Sequence, residues 1–260
     1  MPRNKASMAK DISKTQIDRL GERLKKGNIT EADLRLLDLY RRSFTPAYEI
    51  VVRTIRNDLA LEPTGRPAKS TTSISEKLRR ESIRLTQIQD IAGCRLTVTD
   101  IVEQDSVVES LRNLFDKTTI VDRRQQPSHG YRAVHVVVSC LNKMIEIQVR
   151  TSLQHLWAEL SEKLSDMVNP AIKYGAGDER VRWILANASN MVVRTESLEV
   201  DWVNLKGNLS PSDMFTEDIQ QIIAENEKIL TSLRQQVFKG LHDVIEYLEE
   251  PAGENDDLSD

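Results

Sequence analysis

What most constrains this chain is a change of period. From residue 94 the helical spacing of apolar residues gives way to short runs rich in valine and isoleucine, and after Arg150 the helical spacing returns. CRLTVT (94–99), TTIVDRR (118–124), AVHVVVS (133–139) and MIEIQVR (144–150) read as strands. CLNK (140–143) joins the last two and suits a hairpin, and a helical pattern at 105–115 separates the first two. A strand block between helical blocks predicts an α+β fold: a sheet of about four or five strands with helices before and after it.

Within the helical blocks the start signals are specific. Thr30 to Asp33 has the form of a capping box, opening a stripe of Leu34, Leu37 and Tyr40. Thr45-Pro46 offers a capping hydroxyl and a proline for a second helix, with Val51, Ile55 and Leu59 as its stripe. EPTGRPAKS (62–70) interrupts the pattern, and residues before its prolines are expected to be extended. Ser73 and Glu76 can cap a short helix through Arg80, and Ser210-Pro211 marks a later start. The closing PAGENDDLSD is expected to be a disordered acidic tail.

Charge is distributed unevenly. The net charge of −4 argues against a surface that coats nucleic acid. Yet residues 66–80 carry Arg66, Lys69, Lys77, Arg79 and Arg80 against Glu76, while residues 249–260 carry six carboxylates and no base. A local basic cluster in an acidic chain suggests a discrete anionic ligand. No apolar run reaches the ~18–20 residues that span a bilayer, and MPRNKASMAKDISK lacks the apolar stretch of a signal peptide. With Cys94 and Cys140 read as reduced thiols, a cytoplasmic protein is expected.

Alternation groups the polar side chains. Glu146, Gln148 and Arg150 share one face of their strand, and Arg95, Thr97 and Thr99 share one of theirs. Tyr131, Ala133, His135 and Val137 point together if the strand starts that early. Such faces meet water or line a cleft, and periodicity does not choose. Ser73, Lys77 and Arg80 share a helix face behind Lys69, a pattern that suits either a solvated helix or phosphate oxygens. There is no Walker-type glycine loop and no kinase motif set, and the four histidines lack zinc-ligand spacing with each other or the cysteines. Asp90 and Glu146, each beside a strand, are candidates for a hard cation such as Mg²⁺.

Four motifs together resemble the synthetase domain of the RelA/SpoT family, in particular its small stand-alone members. They are R-P-A-K-S-T-T-S-I-S-E-K-L-R-R (66–80), Q-D-I-A-G-C-R (89–95), G-Y-R-A-V-H (130–135) and E-I-Q-V-R-T (146–151), followed by Trp157. Order and separations match, including the fifteen residues from Tyr131 to Glu146, over roughly residues 45–175. The resemblance implies a nucleotidyltransferase-like mixed sheet that moves the β,γ-pyrophosphate of ATP to the ribose 3′-hydroxyl of GDP or GTP. It implies a helical segment over 1–44, the synthetase domain over 45–178, a helical extension over 179–250 and the acidic tail over 251–260.

Matching positions imply that Arg66 lies near adenine and that Lys69, Ser73, Lys77 and Arg80 hold the ATP phosphates. Asp90 and Glu146 resemble the acids that position Mg²⁺, with Glu146 also activating the attacking hydroxyl. Tyr131 resembles the platform for the acceptor base, with His135, Arg123, Arg124 and Arg132 on the acceptor side and Arg95, Gln148 and Arg150 in support. Two departures stand out: Pro127-Ser128-His129 replaces a common Lys-x-Asn before Gly-Tyr, and two residues rather than one separate Arg66 from Lys69. Some small members are toxins acting on adenine nucleotides or the 3′ end of tRNA, so a tRNA acceptor is an alternative, as is a silent nucleotide- or RNA-binding module. The absence of a histidine-rich hydrolase domain implies control by a separate hydrolase or an antitoxin. Stand-alone members also suggest a homo-oligomer.

Overall fold

The computed structural model describes residues 12–210, 214 and 216–249. The acidic tail and Pro211 of the expected helix start lie outside the described residues. Five strands form one sheet in the order β1-β2-β5-β4-β3: β1 (Thr64–Arg66), β2 (Ala92–Val98), β3 (Thr118–Asp122), β4 (Val134–Cys140) and β5 (Lys143–Thr151). The α+β reading holds. β1 comes from the stretch expected only to be extended. It pairs antiparallel with β2, Thr64 opposite Arg95 and Arg66 opposite Gly93. The β4–β5 link is two residues rather than four. Leu141 and Asn142 both have positive φ, 47° and 59°, the backbone of a tight hairpin turn whose twist matches its strands.

The chain forms two compact units, one of residues 12–96, 112–119 and 136–148, the other of 97–111, 120–135 and 149 onward. In the first, α1 (Lys14–Lys26), α2 (Glu31–Arg42), α3 (Thr45–Leu59) and α4 (Thr71–Arg80) precede β2. Leu20, Leu24, Leu37, Val51, Ile55, Ile74 and Leu78 are almost wholly buried, each a gain of roughly 1.5–3 kcal/mol over exposure. Polar ties accompany that packing: Arg79 Nε donates to the Lys25 carbonyl at 3.2 Å, and Thr86 Oγ1 to Asp18 at 2.7 Å. The Thr30–Asp33 box forms as expected.

Three local expectations are corrected. Leu34 is 46% exposed, because the buried stripe of α2 runs through Asp33, Leu37 and Tyr40 instead. Thr45 does not cap α3; the helix already includes it, and Phe44 at the cap position makes no side-chain bond. In α4 the cap is Ser70, whose Oγ accepts from Ser73 N at 3.2 Å. Three hydroxyl residues follow Ser70 in succession, so sequence alone left the register open.

In the second unit, α5 (Ile101–Leu114) begins where Asp100 accepts from Glu103 N. α6 (Ser152–Met167), α7 (Glu179–Gly207) and α8 (Glu217–Glu249) share a core of Leu156, Trp157, Leu160, Leu185, Val192, Val237 and Leu241. Trp157 Nε1 is satisfied within it, donating to the Leu185 carbonyl at 2.8 Å. Among the described residues no helix is long and apolar enough to cross a membrane.

Candidate functional site

In the first unit, charge gathers around Asp90. Lys69, which closes the extended stretch, donates to Asp90 Oδ2 at 2.6 Å, and Lys77, two turns into α4, donates to Oδ1 at 2.9 Å. The Lys69 amide is fixed as well, donating to the Ile91 carbonyl at 2.6 Å. Burial alone would raise the Asp90 carboxyl, but the two ammonium groups and their hydrogen bonds outweigh it and hold it below its ordinary value. Ser73 stands one turn before Lys77, bonded to Ser70 Oγ at 2.7 Å. Arg80 turns to Glu81 at the helix end, and Arg66 is exposed on β1.

Glu146 lies on the half-buried polar face of β5, between the buried Ile145 and Ile147. Gln148 Nε2 donates to its Oε2 at 2.8 Å, so two of the residues grouped by alternation do meet. The glycine of Q-D-I-A-G-C-R has a reason in this neighbourhood. A Cβ on Gly93 would come within 2.7 Å of the Glu146 carbonyl oxygen, so a side chain there would push β2 from β5 at the acid itself. Cys94 is not a competing nucleophile: burial, then the Glu146 charge, push its thiol up to about 12. Both cysteines are free thiols. Arg95 is half-buried opposite Thr64.

In the second unit, Tyr131 is the hub. β4 begins only at Val134, so the condition for strand alternation to group Tyr131 with His135 is not met. A turn brings the two together instead. His129 and Gly130 have φ of 53° and 92°, and Tyr131 N donates to the Ser128 carbonyl at 3.0 Å. Histidine tolerates the left-handed conformation better than most side chains, which accounts for His129 where asparagine is common. Gly130 has no substitute, since a Cβ would meet Trp157 at 2.8 Å in addition to the positive φ.

The Tyr131 hydroxyl lies 2.9 Å from Arg150 Nη2 and 3.0 Å from His135 Nε2. Arginine only donates, so the tyrosine oxygen accepts from Arg150, while the direction of the Tyr131–His135 hydrogen bond follows the histidine tautomer. The Arg150 guanidinium is 5.0 Å from the ring centre, and the residue is 5% exposed.

The other arginines lie elsewhere. Arg124 is forked onto Asp122 at 2.7 and 3.0 Å and reaches Asp105 at 2.7 Å and Gln104 at 3.2 Å. Arg123 has an exposed side chain, while its amide donates to the Ala133 carbonyl. Arg132 is half-buried, its Nε has no hydrogen-bond partner among the described residues, and burial lowers its pKa against the opposing charge of Glu196.

Sequence reasoning passed over Glu196. This α7 carboxylate is 5% exposed and accepts from Thr151 Oγ1 at 2.5 Å and Gln154 Nε2 at 3.2 Å. The signal was available: Leu185, Ala188, Val192 and Thr195 recur at helical spacing, and Glu196 falls on the same buried stripe.

Comparison with known proteins follows the same residues. The model of the region found in RelA/SpoT proteins matches residues 65–165. The uncharacterised protein Rv1366 of Mycobacterium tuberculosis is 40% identical over 123 residues, 46% of this chain and 44% of that one. Against the mycobacterial relative, then, this chain spans less than half the length. The GTP pyrophosphokinase YjbM of Bacillus subtilis is 32% identical over 149 residues, 51% of this chain and 67% of that one. The crystal structure of the small alarmone synthetase 1 from Bacillus subtilis bound to its product pppGpp superposes with a TM-score of 0.50 at 25% identity. It covers 68% of this chain and 100% of that one.

Proposed function

Because this chain belongs to the RelA/SpoT family, we propose that it transfers the β,γ-pyrophosphate of ATP to the ribose 3′-hydroxyl of GDP or GTP. The observation that carries the reading is the pair of lysines held on Asp90. Two ammonium groups and a neighbouring hydroxyl, Ser73, offer charge-assisted hydrogen bonds to phosphate oxygens. They are fixed in place before any ligand arrives, so little reorganisation accompanies the reaction. Arg66 and Arg80 add positive charge along the same segment.

In the step itself the 3′-oxygen attacks the β-phosphorus of ATP. The bond from that phosphorus to the α–β bridging oxygen breaks, and AMP leaves with the electron pair. A ribose hydroxyl is a weak nucleophile, and Glu146 is the acid assigned to take its proton. Gln148 keeps the Glu146 carboxylate oriented through its hydrogen bond. Asp90 and Glu146 offer the hard carboxylate oxygens that Mg²⁺ takes, and Asp90 is held in its charged form. Mg²⁺ held by them would neutralise charge on the transferred phosphates. On the acceptor side Tyr131 provides an aromatic face for a purine, with its hydroxyl already engaged by His135 and Arg150. The YjbM similarity and the pppGpp of the superposed synthetase support guanine as that purine.

The test is product analysis with ATP labelled on its γ-phosphate, offering GDP, GTP, adenine nucleotides and deacylated tRNA separately at low and high salt. Label is expected on the guanine nucleotides. Label on tRNA alone, with a rate that collapses as counterions compete, would replace the acceptor and keep the chemistry. No transfer to any acceptor would remove the pyrophosphokinase reading.

A further inference from the structure

The Tyr131–His135–Arg150 cluster depends on where the end of β5 is held, and β5 ends in a buried polar network that no part of the proposed chemistry uses. Thr151 follows Arg150 directly and is the N-cap of α6: its Oγ1 accepts from Gln154 N at 3.1 Å, and its own amide donates to Gln154 Oε1 at 3.3 Å. That capping box is closed from outside by Glu196, which accepts the Thr151 hydroxyl and the Gln154 amide. Gln104 of α5 completes it, donating to Gln154 Oε1 at 2.9 Å and to the Val149 carbonyl at 2.7 Å. Thus the residues on either side of Arg150, Val149 and Thr151, are both anchored by side chains buried in this network.

We infer that Glu196 is a positioning residue for the acceptor platform: by latching Thr151 and Gln154 it fixes the strand-to-helix junction that aims Arg150 at the Tyr131 hydroxyl. The inference rests on the proposed acceptor role of Tyr131. Glu196 Oε1 accepts from both Thr151 and Gln154, and Oε2 accepts from the Gln154 amide again, so the carboxylate meets its neighbours with two acceptors. A carbonyl oxygen can accept from Thr151, but the amide nitrogen beside it would face the Gln154 amide, donor against donor.

A carboxylate is an awkward choice on stability grounds alone. Burial raises its pKa more than the Thr151 and Gln154 hydrogen bonds lower it; Arg234 on α8 lowers it further, and Glu199, one turn along α7, raises it. Arg132, ahead of β4, is the other charged group that senses it. A carboxyl group whose folded pKa is raised opposes folding increasingly as pH rises above its unfolded value, and does so in full once the pH passes the folded one. Keeping one here therefore fits a role in positioning better than a role in holding the fold.

The decisive variant is Glu196→Gln, followed by steady-state kinetics, thermal unfolding and the NMR signals of the Arg150 Nε–H. The expected result is a kcat/KM for the acceptor lower by about a hundredfold, the penalty typical of a displacement near 1 Å. The KM for ATP should hold, the midpoint of unfolding should be unchanged or higher, and the Arg150 signal should move. Glu196→Asp, which keeps the charge on a shorter arm, should recover part of the loss. An unmoved Arg150 signal would overturn the inference whatever the rates do. So would a loss of activity that merely tracks a loss of stability. If the unaltered protein transfers nothing while its Arg150 signal still answers to Glu196→Gln, the proposed function fails and the latch stands.

Discussion

The two units hold their polar groups in different ways. In the first, Lys69 and Lys77 are held by one carboxylate, and the three side chains remain 17–22% exposed. Such a cluster has something to exchange: a phosphate or a cation can take over either side of an ion pair that water already reaches. In the second, Tyr131, Arg150 and His135 are joined by hydrogen bonds on a closed helical core, and Arg150 is buried. That cluster has little to exchange and presents a shape. Under the proposed function, charge that can change partners suits the reacting phosphates, and a fixed aromatic face suits recognition.

Six substitutions at five positions break or sharpen this contrast. The largest effect is expected from Glu146→Gln, which removes the proposed proton acceptor. The rate should fall about a thousandfold, ~4 kcal/mol of transition-state stabilisation, with little change in thermal midpoint because Glu146 is not core packing. Turnover and unfolding measured on one preparation check it, and near-normal turnover would remove Glu146 from the mechanism.

Asp90→Asn comes next, at roughly a hundredfold in rate, partly recovered as Mg²⁺ is raised. It should also cost ~1–3 kcal/mol of stability, since two half-buried ammonium groups lose their counter-charge. The pH dependence has a definite sign. With the folded carboxyl below its ordinary 3.8, the ion pairs' stabilisation is fully present above that value and lost as pH falls through the lower one. Acid unfolding of the unaltered protein should therefore be steeper below pH ~4 than that of Asp90→Asn. Parallel Mg²⁺ curves for the two proteins would leave Asp90 a purely structural residue.

Tyr131→Ala should act on affinity instead. Loss of a stacking face worth ~1–3 kcal/mol raises the acceptor KM roughly 5- to 150-fold and leaves the ATP KM in place. Tyr131→Phe keeps the face and loses the hydroxyl, so its effect should be smaller. The smallest effects separate two serines of the donor segment. Ser70→Ala should lower stability by ~1 kcal/mol as a lost helix cap, while Ser73→Ala should spare stability and raise the KM for ATP a few-fold. Equal effects from both would put the cap and the phosphate contact on the wrong residues.

Much of this contrast was legible in the sequence, for identifiable reasons. The sheet declared itself because valine and isoleucine alternate with polar residues over MIEIQVR, and a one-residue slip there would bury Glu146. Lys77 and Asp90 could be singled out but not paired, because their contact closes a loop that periodicity does not see. The α4 cap was misplaced by three residues, since Ser70 and Ser73 present the same chemistry to a pattern. Tyr131 and His135 do meet, but through a turn whose positive φ values at His129 and Gly130 a strand reading did not supply. Arg124 looked available until the fold put Asp105 and Asp122 beside it. Glu196 was hidden by its distance from every motif, although its place on a buried helix stripe was visible.

The central claim is that the β-phosphorus of ATP is the atom attacked. Phosphorus NMR of a reaction containing ATP and GDP tests it most directly. The account predicts AMP appearing in step with a pyrophosphate on the ribose 3′-oxygen of the acceptor. ADP accompanied by a 3′-monophosphate would mean attack at the γ-phosphorus, and would contradict it.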